Sequence, residues 1–166
     1  PFFVIDLSDP KDPKILGKLK IPGYSDYLHP YDANTIIGVG KETAANEWGG
    51  VSTRGVKLAL FDVSDVEHPK QIDKVEIGEA GTDSAALSDH KAFLFSKEKN
   101  LLVVPARVVR QNPPTIEKTG DEQPRVWYGA YVFGVDPSAG FVLRGTIEHG
   151  TQGEEYYYYG SSKNEV

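Results

Sequence analysis

Three aspartates, Asp26, Asp83 and Asp89, are of the type that does acid–base chemistry. Cleaving a glycosidic bond takes two carboxyl groups held about 5–10 Å apart, one with a raised pKa so that it can protonate the leaving group. Spacing along the chain does not decide whether they meet, and Asp is equally expected at these positions as a turn former. A second set, Trp48, Arg54, Arg107, Arg110, Arg125 and Trp127, is of the type that makes contacts. Indoles and guanidinium groups stack on sugars or on a partner's side chains and carry a large share of contact energy. The plainer account is that Trp127 is buried and the arginines offset local acid.

The histidines, His29, His68, His90 and His149, are widely separated and follow no HxxxH or HxH pattern. A zinc site would need the fold to gather three of them with a carboxylate, so structural hydrogen bonding is expected for each. Asp6, Asp9 and Asp12 raise the idea of calcium and of a calcium-stabilised module. Their spacing of three does not match the alternate-residue pattern of an EF-hand, and no Gly or distal Glu completes it. No metal ligands are assigned and no cofactor is expected, calcium being the one alternative kept. No G-x-S-x-G elbow, G-x-x-x-x-G-K-[ST] phosphate loop or G-x-G-x-x-G dinucleotide loop is present.

Composition narrows the partners. With 39% hydrophobic and 25% charged residues, the 166-residue chain reads as globular, with one or two domains allowed by length. Its longest apolar runs are segments such as LLVV at 101–104, so no membrane-spanning segment is expected. A net charge of −6 would repel a phosphate backbone, so nucleic acid is not an expected partner. Cysteine is absent, and redox chemistry says nothing of compartment. The chain has no initiating Met or signal-type region and starts inside an apolar run, which reads as an excerpt of a larger protein.

The elements that must position these residues are legible from a repeat. Asp6, Ser8, Asp9, Pro13 and Lys14 correspond to Asp62, Ser64, Asp65, Pro69 and Lys70 at a constant offset of 56, with apolar residues matched between them. A third, degraded copy is AYVFGVDPSAGFVLRG at 130–145. Short runs rich in Val, Ile, Leu, Phe and Tyr, bounded by Gly, Pro, Asn and Asp, predict strands near 2–7, 14–21, 25–31, 35–40, 56–63, 70–77, 90–96, 101–107, 127–135 and 141–148. Taken in fours after the first pair, they make two four-stranded meanders, the signature of β-propeller blades. SDPKDPK, where proline fixes φ and Asp and Ser accept nearby N–H groups, is expected as a rigid turn joining the third strand of a blade to the fourth.

FFVIDLSDPKDPKILGKLKIPG, YLHPYDANTIIGVGKE, GVKLALFDVSDVEHPK and GTDSAALSDHKAFLFSKEKNLLVVPA together resemble the secreted prokaryotic proteins with a C-terminal β-propeller domain distantly related to WD-repeat proteins. The hydrophobic run followed by D-x-S-D-P-x-x-P also resembles the LVIVD-type repeat of surface propellers. The resemblance covers nearly the whole chain and weakens after Tyr156. It implies a propeller, an extracytoplasmic location, secreted or on the cell surface, and a bacterial or archaeal origin. It supplies no reaction, cofactor or catalytic residue.

The fold class expected is therefore all-β, a partial β-propeller of two complete four-stranded antiparallel blades plus the outer half of a preceding one. The division is a half blade at 1–22, blades at 23–78 and 79–150, and the start of another at 151–166, where Tyr156–Tyr159 suits an inner strand packed on both faces. Closure takes at least four blades, so the remaining blades or a second copy are expected to cover the open strand edges. In such a meander the loops 41–55 and 108–125 share one face with the connections 22–26, 78–84 and 149–154. Long loops on a rigid scaffold are where binding is placed, so the Trp and Arg set is assigned there, to a protein or glycan partner. The three aspartates lie near the blade-to-blade connections, where a propeller glycoside hydrolase or lyase would carry its acids.

Overall fold

A computed structural model of the chain describes residues 1–110 and 125–149. Phe2–Asp6 (β1) and Lys14–Leu19 (β2) form an antiparallel pair. Tyr24–Pro30 (β3), Thr35–Ala45 (β4), Val51–Asp62 (β5) and Lys70–Ile77 (β6) form one antiparallel four-stranded sheet in chain order. Leu94–Ser96 (β7), Leu101–Arg110 (β8), Arg125–Asp136 (β9) and Gly140–Glu148 (β10) form a second. This is the all-β, partial-propeller arrangement expected: half a blade, then two four-stranded blades. The expected further blade at 151–166 and the middle of the segment 108–125 lie outside the described residues.

The alternation of side chains along each strand decides what packs where. Ile37 and Val39 of β4, with Val56, Leu58 and Leu60 of β5, face the second sheet and bury against Leu102, Val104, Val108, Phe133 and Val135. That seam is the core. The opposite face of β5 is also covered, because Phe61 stacks on Phe2 of the half blade with ring centroids 4.6 Å apart. Covered on both sides, β5 reads VKLALF, a continuous run rather than an alternating one. On that second face Gly40 lets β3 lie close, since a Cβ there would run into the backbone of Tyr24 and Ser25.

The repeat carries a turn. Oδ1 of Asp6 accepts from Ser8 N at 2.8 Å, Oδ1 of Asp62 from Ser64 N at 2.9 Å, and Oδ1 of Asp136 from Ser138 N at 2.7 Å. Each follows the third strand of a blade, so the third copy belongs with the other two. Hydrogen bonds from the serine hydroxyl and amide hold the Asp62 and Asp136 carboxyls below the usual carboxylate range, and the Ser8 amide and then its hydroxyl do the same for Asp6.

Two expectations about connections change. The segment 41–55 is not a loop: β4 and β5 run on past the sheet as a hairpin, with Thr43 opposite Thr53, Ala44 opposite Ser52 and Ala45 opposite Val51. The polar residues hid it, but two β-branched threonines facing each other suit a strand pair. The strand expected at 90–96 shrinks to Leu94–Ser96, because Ser84 and Asp89 accept from Ala86 N and Lys91 N and cap two short 3₁₀ turns ahead of it.

Candidate functional site

The hairpin ends in the residues Asn46–Gly50, and Asn46 organises them. Its Oδ1 accepts from Trp48 N at 3.2 Å and Gly50 N at 2.8 Å, and its Nδ2 donates to Ser52 Oγ at 3.2 Å. Gly49 supplies the left-handed backbone, φ 76°, that closes the turn. Trp48 stands on this tip 93% exposed, with Val51 beside it 70% exposed. The tip backbone is held by its own hydrogen bonds, so binding there orders the indole without having to order the turn that carries it.

The rest of the contact set divides sharply. Arg54 Nε donates to Glu76 Oε1 at 3.0 Å, and Arg107 donates to Gly81 O at 3.1 Å and Tyr128 Oη at 3.3 Å. Trp127 packs edge-on against Tyr131 at 5.4 Å and joins the margin of the core. These three are held by their own chain. Arg110 is exposed at the end of β8, opposite Arg125 in the register, on the second long hairpin. Both hairpins rise on the side of the blade-to-blade connections: Gly23 N donates to Thr43 Oγ1 at 2.7 Å, and Glu79 N donates to Val109 O at 3.0 Å.

The acid set also divides. Asp89 caps a 3₁₀ turn. Lys41 Nζ donates to Thr82 O and pairs with Asp83 Oδ1 at 3.2 Å, and Asp26 lies within electrostatic reach of both Lys41 and Asp83. Burial pushes the Asp26 carboxyl up, Lys41 opposes the shift and Asp83 adds to it. A carboxyl with a raised pKa is one of the two groups that acid–base work needs. A cavity on the second sheet is lined by Asp83 and not by Asp26.

The histidines serve different ends. His29 Nδ1 lies 2.9 Å from Tyr27 Oη, with Phe93 and Phe95 at 5.0 and 5.2 Å, and burial there pulls its pKa down. His68 pairs with Asp65 at 3.0 Å on the surface, His90 lies near Tyr27, and His149 N donates to Tyr128 O. No group of three or more His, Cys, Asp or Glu able to hold a metal occurs among the described residues.

Sequence reading missed a buried charge network under the hairpin. Lys57 is 1% exposed and Glu42 4%. Lys57 Nζ donates to Pro22 O at 2.6 Å, while Glu42 accepts from Lys74 Nζ at 2.6 Å and Thr43 N at 2.9 Å. Burial lowers the Lys57 pKa against the pull of Glu42; at Glu42 burial acts upward, but Lys74 and the Thr43 amide outweigh it. The network clasps the incoming connection at 22–23 to the sheet. A signal existed: Lys57 sits inside the otherwise apolar run of β5.

The whole chain, residues 1–166, matches the family model described as beta propeller domain. The chain belongs to that family. An uncharacterized protein of Archaeoglobus fulgidus is 44% identical over 106 residues, 64% of this chain and 15% of the relative. An uncharacterized protein of Methanocaldococcus jannaschii is 42% identical over the same shares. The match spans about 15% of the length of these archaeal relatives. No solved structure matches the chain. No helix among the described residues is long and apolar enough to cross a membrane.

Proposed function

We propose that this propeller is a non-enzymatic binding scaffold, secreted or held at the cell surface, that takes a protein or glycan partner on its hairpin face. The observation that carries this is Trp48, an almost fully exposed indole on a hydrogen-bonded tip. Exposed aromatic and Arg side chains anchor interfaces out of proportion to their number, and Arg110 lies on the neighbouring hairpin. A projecting tip suits a partner protein with an apolar pocket; capture of a glycan is the other outcome. The extracytoplasmic location rests on the LVIVD-like resemblance, and surface labelling of intact cells tests it.

The experiment is a paired pull-down and glycan array with the parent protein, Trp48→Ala and Arg110→Ala. Losing an anchor lowers affinity about tenfold or more, with the thermal midpoint unchanged. Equal capture by all three proteins ends the reading.

A second reading is supported by the raised pKa of Asp26 beside Asp83. In a propeller hydrolase or lyase, Asp26 is the proton donor and Asp83 the second carboxyl group. Polysaccharide cleavage lost in both Asp26→Asn and Asp83→Asn would put this reading first; no cleavage by the parent protein removes it.

A further inference from the structure

The hairpin that carries Trp48 has two edges, and they are unlike. On the β5 side, β6 runs alongside only as far as Ile77, which lies opposite Val56. Gly78, in left-handed backbone at φ 66°, then turns the chain away, and Glu79 N donates to Val109 O of the second sheet. Residues 51–54 of β5 therefore continue past the end of their neighbour and are exposed throughout. No strand lies beyond them among the described residues.

The ladder fixes which backbone groups this edge offers. Asn46 N donates to Gly50 O across the ribbon at 3.0 Å. Inward and outward pairs alternate in an antiparallel ladder, so Ala44 and Ser52 turn their N–H and C=O inward, and Val51 and Thr53 turn theirs out. At the foot of the edge Glu76 Oε1 accepts from Gly55 N at 3.3 Å, a side chain serving where β6 has ended. The β4 edge is served by its own chain: Thr43 N donates to Glu42 Oε1 at 2.9 Å and Thr43 Oγ1 accepts from Gly23 N at 2.7 Å. Open edges are ordinarily blunted by Pro or Lys, yet this one reads Val-Ser-Thr-Arg, with two β-branched residues.

We propose that the Val51–Arg54 edge takes an extended segment of a partner protein as an added strand, continuing the β5–β6 ladder along the line that β6 vacates. This names the kind of partner and rests on the reading of the hairpin as the binding face. Outward N–H and C=O groups two residues apart are what an extended segment pairs with, and side chains at its alternate positions give the specificity. One such position meets Val51 and the Trp48 indole and is apolar. Glu47 at the tip and Glu76 at the foot flank the edge, and Arg54 is tied to Glu76, so Lys or Arg on the incoming strand is favoured over acid.

The probe is a seven-residue peptide selected by display on the complete protein, made with free amides and again with alternate amides N-methylated. Thr53→Pro removes an outward N–H and keeps the ladder to β4. That variant, and N-methylation of the peptide, should each weaken binding about tenfold or more with the thermal midpoint kept. Hydrogen exchange at Val51 and Thr53 should be fast in the free protein and slowed by saturating peptide. Binding that ignores Thr53→Pro and N-methylation but is lost in Trp48→Ala would overturn strand addition and leave the hairpin reading standing; binding that ignores all three ends both. Failure to select any peptide would also overturn strand addition. So would slow exchange of the two amides before peptide is added, because the edge would already be covered, by a second copy if the protection fades on dilution.

Discussion

Val39 and Leu58 in the first sheet are completely buried, whereas Val103 and Val132, at the same register in the second, are half open. The four side chains are of similar size and hydrophobicity. What differs is the neighbour: the first sheet has another blade on that face and the second has none among the described residues. Burial here belongs to the stacking of blades, and a residue's worth to the fold depends on whether its face is covered.

The strongest way to sharpen that contrast is truncation. Leu58→Ala should destabilise by about 2–5 kcal/mol in urea unfolding, because the surrounding seam cannot collapse onto the cavity. Val132→Ala should cost under about 1 kcal/mol, since a partly open site keeps water on one side. Equal costs at the two positions would break the comparison.

The next effect comes from the other face of the first sheet, where charge rather than apolar surface is covered. Glu42→Ala leaves the buried Lys57 ammonium without its nearby carboxylate and should cost about 3 kcal/mol. Lys57→Met keeps the volume and loses the charge, and should change stability by about 1 kcal/mol or less. Chemical denaturation of both variants checks this ordering, and a larger loss for Lys57→Met would reverse it.

The smallest effect is one of pH within the seam. His29, facing Tyr27, Phe93 and Phe95, has its folded pKa held below the ordinary 6.5 by burial. Between that lowered value and about 6.5 the unfolded chain binds more protons, so stability falls as pH drops through this window and the loss levels off below the folded pKa. His29→Phe should flatten the decline in thermal midpoint on acidification from pH 7. An unchanged pH slope would remove His29 as its source.

Much of the fold was legible because each strand is short, apolar and bounded by turn formers, and because Asp6, Asp62 and Asp136 repeat one side-chain-to-backbone turn. The hairpin at 41–55 was not, since its outer half is polar and pairs where no core rewards it. Trp48 was picked out by type, and the structure adds that it stands exposed at the tip of a hairpin. Arg54, Arg107 and Trp127 looked the same in sequence but are engaged by Glu76, Gly81 with Tyr128, and Tyr131. Glu76 and Tyr128 lie on neighbouring strands, Gly81 in a connection and Tyr131 four residues along β9, and type alone names none of them.

Local chemistry was enough to settle strand, turn and meander, because backbone preference and the two-residue period act between near neighbours. The pairing of Asp83 with Lys41 and the burial of Lys57 depend on how one sheet is laid against the next. Such stacking joins residues far apart in the chain, and it sets the local dielectric and the exposure on which their chemistry rests.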